Sequence, residues 1–416
     1  MNICINGKEC EVRTNKISSY VIYSAAELSE NTAEISITVD SAVKSATVRP
    51  KSAGIVCNVS GNKVTLNAPI PSKLSVECEG DEILPIFLFL YAPEEKVEHK
   101  GNLRCYAKGE YFEEEVRLES GDTIYLEEGA VLHAHIAADD AENVTICGRG
   151  IIDLDGYSQP KRRMTVIRNC KNVTFKDVTF NGANGWCCAF FGCEGILVDN
   201  VNIITWLMCG DGVDIVGSND AEVKNSFICT NDDCVAIKST DYCGPQGLGD
   251  VYNVNVHDCV MWNQIYGNGI EIGFETRCDE IYNVTFSNID LIHVEQPGWQ
   301  ACGCITIHNG DRARVHDITY RDIRIEDGHS RLFDFRNLNS RYSKDAQRGS
   351  VDNVLVENVS IVDGEFPPSV MLGFDDQSLV NNIRFVNLCV KGEKIGNYVD
   401  ARMIIDKAPR IIFEVK

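Results

Sequence analysis

Asn172-Val173-Thr174-Phe175-Lys176-Asp177-Val178 alternates apolar and polar residues, then turns on a small polar one, and the same phrase keeps returning down the chain. It reads Gly195-Ile196-Leu197-Val198-Asp199-Asn200-Val201, then Ala221-Glu222-Val223-Lys224-Asn225-Ser226-Phe227, then Asn253-Val254-Asn255-Val256-His257-Asp258-Cys259. Later copies begin at Asn283, Asp317, Asn353 and Asn382, and a shorter one, Asn143-Val144-Thr145-Ile146, precedes them all. From Asn172 onward successive starts lie 23, 26, 32, 30, 34, 36 and 29 residues apart, by subtraction of those positions. A period in the twenties and thirties, carried by short alternating strands without a helical stretch, marks a solenoid of β coils. A coil cannot bury its apolar face alone and must stack on its neighbours. The sixth position of the repeat holds Asp177, Asn200, Ser226, Asp258, Asn288, Asp322, Asn358 and Asn387. Small polar residues tolerate the left-handed backbone of a tight turn, and stacked in successive coils they can hydrogen-bond as a ladder. An ordinary β-sandwich with recurrent Asn turns does not account for nine similar copies.

The first 95 residues lack the phrase. Alternating runs such as Ala33-Glu34-Ile35-Ser36-Ile37-Thr38-Val39 and Ile83-Leu84-Pro85-Ile86-Phe87-Leu88-Phe89-Leu90, split by Gly, Pro and Ser, predict a small antiparallel β-sandwich over 1–95. The β-helix is then expected over 96–416, with Gly121 to Val131 as its entry.

Composition narrows the partners. A 44% hydrophobic fraction supports a sizeable core, and a net charge of −22 argues against nucleic acid or an anionic membrane, which need clustered Lys and Arg. No run of 18 apolar residues occurs, so no membrane span is expected. The opening residues, Met1 to Lys8, carry no basic segment followed by an apolar one. The 19 cysteines are expected to serve as small buried hydrophobes in a reduced, cytoplasmic protein. The clusters Cys187-Cys188 with Cys193, and Cys302 with Cys304, lack paired Cys-x-x-Cys spacing, so neither a structural metal nor a cofactor is expected.

The third strand of each coil aligns on its apolar pair: Val213/Ile215, Val235/Ile237, Ile270/Ile272, Ile305/Ile307, Phe333/Phe335 and Val370/Leu372. With these pointing inward, strand alternation puts Asp214, Ala236, Glu271, Thr306, Asp334 and Met371 on the outer face in one column. A second column holds Val216, Lys238, Gly273, His308, Arg336 and Gly373. Two positions before each pair stand Asp211, Asp233, Asn268 and Gly303, with Asp232 beside Asp233. Adjacent strands are about 4.8 Å apart, so Asp211 and Asp233 should face each other one rung apart. Three carboxylates so close cannot all ionise cheaply, and at least one pKa should rise. That is the arrangement of a general acid beside a general base, as glycosidases require, although a turn or a calcium site could use the same residues.

Gly210-Asp211-Gly212-Val213-Asp214-Ile215, followed by Asn231-Asp232-Asp233-Cys234-Val235-Ala236-Ile237-Lys238-Ser239, resembles the two adjoining motifs of the polygalacturonase family, glycoside hydrolase family 28. The resemblance implies an inverting hydrolase on a right-handed parallel β-helix. It also implies Asp232 as general acid, with Asp211 and Asp233 activating water. Where that family usually has Gly-His-Gly, this chain has Gly267-Asn268-Gly269, and Thr306-Ile307-His308 stands in place of Arg-Ile-Lys. The loss of both cations takes support from pectin as substrate. The amino-terminal part, continued by Val131 to Gly150, is similar instead to the dextranase and isopullulanase family, family 49, which implies neutral α-glucans. Asp214, Lys238, Asn268, Glu271, Glu275, Arg277, His308 and Arg336 are the expected substrate contacts, with Trp206 and Trp299 as candidate stacking rings.

The leading expectation is an intracellular glycoside hydrolase with a carbohydrate as its partner. A polysaccharide lyase or sugar transferase on the same scaffold, and a non-catalytic carbohydrate-binding solenoid, are the alternatives. An inverting pair should stand about 6.5–9.5 Å apart. The sugar, the linkage and the oligomeric state stay open.

Overall fold

In a computed structural model, residues 1–16, 22–80, 83–94, 101–156, 163–295 and 301–416 are described. Trp299 lies outside them. The chain divides into two compact units, Met1–Glu98 and His99–Lys416.

In the first unit two five-stranded sheets share one core. One joins Lys8–Glu9, Asn2–Ile5, Thr32–Thr38, Lys63–Pro69 and Cys57–Ser60, and the other Arg13–Thr14, Ile22–Glu27, Ile83–Tyr91, Ser72–Glu79 and Ser45–Arg49. Alternation works as the sequence implies: Ala33, Ile35 and Ile37 are buried, while the residues between them face out. Ile3, Ile35, Val64, Val76, Ile86 and Leu88 meet in the core. One pairing departs from the antiparallel expectation, since Ile22–Glu27 runs parallel to Ile83–Tyr91.

The second unit is a right-handed parallel β-helix, whose strands pair parallel from coil to coil. It begins earlier than Gly121, because Leu103–Tyr106 already pairs with Thr123–Leu126, and Gly109–Leu118 with Ala130–Asp139. The repeat supplies both the core and the turns. Val173, Phe175 and Val178 stack under Ile196, Val198 and Val201 inside the coil. Asp177, Asn200, Asp258, Asn288, Asp322, Asn358 and Asn387 all have positive φ, between 49° and 69°. The first position does the same at Asn143, Asn172, Asn253, Asn283, Asp317, Asn353 and Asn382. Side-chain amides link the coils: Asn200 donates to Asp177 at 2.6 Å, Asn358 to Asp322 at 2.9 Å and Asn387 to Asn358 at 3.0 Å.

Two register expectations are corrected. The copy assigned to Ala221 starts one residue earlier, since Ile196 pairs with Ala221 and so Gly195 with Asp220. The left-handed positions are therefore Asp220 and Asn225, not Ser226, whose hydroxyl instead accepts the Val201 N–H at 3.2 Å. Serine lacks the amide that Asn225 uses to reach Asp199 at 2.8 Å. In the sixth inner pair, Asp334 pairs with Val370 and Phe335 with Met371. Met371 thus fills the interior, and Val370 takes the outer column, because Met371 is the residue that packs in the core cluster.

The ladder yields a stability prediction. Asn358→Ala should lower unfolding free energy by about 2 kcal/mol, from lost amide bonds plus left-handed strain. Asn358→Gly should cost less, because glycine takes that backbone without penalty. Urea unfolding of both variants checks the order.

Candidate active site

Backbone hydrogen bonds between coils align one row along the helix axis. The Cys187 N–H donates to the Asp211 carbonyl (2.9 Å), Gly212 to Asp233 (2.8 Å), Cys234 to Asn268 (3.1 Å) and Gly269 to Gly303 (3.2 Å). Met164 donates likewise to Trp186 and Cys304 to Arg331, so Trp186 and Arg331 extend the row at either end. The apolar partners of this row point inward and lock it: Val213, Val235, Ile270, Ile305 and Phe333 are fully buried and pair in register.

One oxygen each from Asp211, Asp232 and Asp233 lies within 4.8 Å of the others. Asp211 and Asp233 are buried, whereas Asp232 is partly exposed. Asp232 is built into a turn rather than a strand. Its carbonyl accepts from Asn263 (2.6 Å) and Thr230 (2.6 Å). Its carboxylate accepts the Cys209 N–H (2.9 Å) and the Asp233 N–H (3.1 Å). Gly267 backs this turn: a Cβ there would meet the Asp232 carboxylate oxygen at 2.4 Å. Asp233 is pinned by Asn268, whose backbone N–H (2.8 Å) and side-chain amide (2.9 Å) donate to the same oxygen. Asp211 offers one oxygen to Lys238 at 2.6 Å, and its other oxygen is a buried acceptor with no hydrogen-bond partner among the described residues.

The charged columns are not solvated. Asp214, Glu271, His308 and Asp334 are fully buried, and Lys238 is 4% exposed. Lys238 lies 3.0 Å from Asp214 and 3.6 Å from Asp233, with its ammonium 4.2 Å from the Trp186 ring centre. Farther along, His308 meets Glu271 at 2.9 Å through Nδ1 and Asp334 at 3.5 Å through Nε2. Arg336 grips Asp334 through two nitrogens, and Phe274 stacks on the His308 ring at 4.5 Å. Asp214, Lys238, Glu271 and His308, expected as substrate contacts, form a buried ion network in which each has a charged partner on a neighbouring rung. Glu275 stands just above it, accepting the Tyr242 hydroxyl at 2.8 Å. A widened register between Ile237/Ile272 and Ser239/Thr276 places Glu275 there. Arg277, beyond that strand, is held by Asp241 at 2.6 Å, and half-buried Trp206 supplies a carbonyl to Asn231.

Burial and like charge set the titration. Burial first, then Asp211, push Asp232 up to about 7, against Lys238 and the two N–H bonds. Burial also pushes Asp214 and Asp233 well above the carboxylate range. For Lys238 burial works toward neutrality, but the surrounding carboxylates outweigh it and raise its pKa well above the usual value. Burial likewise opposes charge on His308, yet Glu271 and Asp334 push it up to about 10.

The 4.8 Å approach is shorter than the gap expected of an inverting pair, so distance alone does not carry inversion. Two acceptors each about 2.8 Å from one bridging water lie roughly 4.5 Å apart, a separation that falls within the 4.8 Å limit of the cluster. Three participants escaped sequence reasoning. Trp186 sits in the Asp211 row and was readable from the same register. Arg163, stacked 4.2 Å over Trp186, was readable two residues before the Thr165/Ile167 pair. The Cys209 N–H belongs to a loop and left no signal.

Residues 112–394, more than half of the chain, match the profile of glycosyl hydrolases family 28. The chain belongs to glycosyl hydrolases family 28. Among named family relatives it is similar to polygalacturonases of Juniperus ashei, 24% identical over 39% of this chain and 38% of that protein, and of Persea americana, 27% identical over 39% and 43%. The similar stretch spans about two-fifths of those relatives. Among solved structures, Dex49A from Penicillium minioluteum superposes with a TM-score of 0.63 at 14% identity, over 94% of this chain and 83% of that one. A family 28 exopolygalacturonase from Yersinia enterocolitica does so at 0.59 and 12%, over 92% and 96%. The exopolygalacturonase of Thermotoga maritima gives 0.57 and 16%, over 76% and 84%. At these identities the likeness is one of fold.

The buried network gives a pH prediction. A histidine whose folded pKa is raised from 6.5 to about 10 contributes stability that is complete below 6.5 and is lost as pH rises through 10. Melting temperature should fall across that window, and His308→Gln should flatten the fall while lowering the melting temperature at pH 6.5. Equal slopes in the two proteins would contradict the assignment of charge to His308.

Proposed function

We propose that this family 28 protein hydrolyses O-glycosidic bonds of oligo- or polysaccharides by acid/base chemistry, with Asp232 as acid and Asp211 as base. The observation that carries the reading is the contrast between the two carboxyls. Asp232, partly exposed and raised to about 7, is protonated under mildly acidic conditions. Asp211 is held against an ammonium and keeps one unpartnered oxygen. The Asp232 proton passes to the leaving glycosidic oxygen as the C–O bond breaks. Water, shared by Asp211 and Asp233, gives its proton to Asp211 and its oxygen to the anomeric carbon. Turnover is complete when the proton returns to Asp232 through solvent.

Direct attack by that water inverts the anomeric centre, and inversion is part of the proposal. Its support is that Asp211 and Asp233 are each held by donors and have carboxylate oxygens within 4.8 Å of each other, close enough for one water to bridge them. The compartment proposed is the cytoplasm, where oligosaccharides arrive by import. It is supported by the use of Cys170, Cys187, Cys188, Cys193, Cys259 and Cys304 as buried thiol side chains in the coil interior.

Asp232→Asn should reduce hydrolysis by about 10²–10⁴-fold without altering the melting temperature by more than a few degrees. In the wild type, kcat/KM should decline as pH rises through about 7, where the acid is lost. A screen of pectic fragments and α-glucans for released reducing sugar names the substrate, and NMR of the first anomer formed decides stereochemistry. Retained configuration, or an ultraviolet-absorbing unsaturated product, would overturn the mechanism.

A further inference from the structure

Lys238 carries three N–H donors into a space bounded by three carboxylates. Its ammonium stands 2.6 Å from Asp211, 3.0 Å from Asp214 and 3.6 Å from Asp233. The Trp186 ring lies 4.2 Å away, so the cation has almost no route to solvent or to a sugar. Asp214 comes from strand Val213–Val216, and Lys238 from the neighbouring strand Val235–Ser239, where Val216 pairs with Lys238. Asp214 is wholly buried and forms an ion pair with Lys238. A fully buried aspartate that accepts no backbone hydrogen bond among the described residues, yet faces a buried lysine, serves that lysine.

We propose that Lys238, anchored from beneath by Asp214, is a positioning residue that keeps Asp211 ionised and fixes which of its oxygens faces the attacking water. The proposal rests on the hydrolase reading above. Without a cation, two buried carboxylates within 4.8 Å of a third group would take up a proton rather than stay charged. A protonated Asp211 cannot serve as base. With the ammonium bound to Oδ2 of Asp211, the remaining Oδ1 is the acceptor left for water. Lysine suits the place, because a compact ammonium can divide its donors among three separate acceptors, whereas a planar guanidinium favours one bidentate partner.

The charged groups facing this pair come from every element packed on it. Asp211 precedes the strand of Asp214, Asp232 and Asp233 precede that of Lys238, and Glu271 and Glu275 come from Ile270–Thr276. Arg163 adds a positive charge near Asp214. Lys238 is the cation that touches Asp211 itself.

The test is the pH profile of kcat/KM for Lys238→Met, measured on the substrate found by the reducing-sugar screen. Loss of the ammonium leaves the base without its buried counter-ion, so the acid limb of the profile should move up by about one pH unit or more. At the wild-type optimum kcat should fall roughly 100-fold, with KM within about threefold. An acid limb that stays in place overturns the proposal. If KM rises as well, Lys238 is a substrate contact, and if only kcat drops evenly at all pH values, its role is structural. Asp214→Asn, nearly isosteric and leaving Lys238 charged, supplies the second reading should the first variant fail to fold. It should lower kcat about tenfold at constant KM, and wild-type kcat in this variant overturns the anchoring role. Wild-type protein that releases no reducing sugar overturns the hydrolase reading and this proposal together. Hydrolysis that is lost in Asp232→Asn but keeps its acid limb in Lys238→Met removes this proposal alone.

Discussion

The left-handed turn at Asn or Asp is the constraint on which the rest of this molecule depends. An L-residue held at φ near +50° costs energy that most side chains cannot recover. Here the amide or carboxylate at that position recovers it by bonding to its counterpart one coil away, as Asn358 does with Asp322 and Asn387. Each coil is thereby indexed to the next. Because the strands then pair in register, residues a full coil apart in sequence stand about one strand spacing apart in space. The aspartate row exists only through that indexing.

A single buried cation then organises the chemistry. Asp211, Asp214 and Asp233 converge on Lys238, and two rungs on, His308 lies between Glu271 and Asp334. Buried charge is costly unless paired, so the network fixes positions as firmly as it fixes charge. Asp232 is the partly exposed member, held in a turn, and it is the one whose proton is available near neutrality. Division of labour among chemically identical side chains follows from where each sits relative to one ammonium.

Most of the fold was legible in the sequence, because period-2 alternation and recurrent Asn turns are local properties. The aspartate cluster was legible too, once the inner pairs were aligned. The errors have physical causes. Ser226 was read as a turn residue because serine and asparagine look alike as small polar residues, but only the Asn225 amide reaches the coil below. Met371 was read as outward because the loop before it hides a one-residue change of register. Glu271 and His308 lie on the outer face that strand alternation predicts, yet both are buried there, and Phe274, delivered by the widened strand at Gly273, stacks on His308.

What the sequence determined by itself was the coil, its spacing and the row in which three aspartates meet, since these follow from alternation and turn chemistry summed along the chain. What the tertiary structure alone decided was the fate of each charge. Whether a carboxylate faces water, an ammonium or an N–H depends on loops and neighbouring rungs packed over it, and burial, which sets proton affinity, is a property of that packing and of no single stretch of residues.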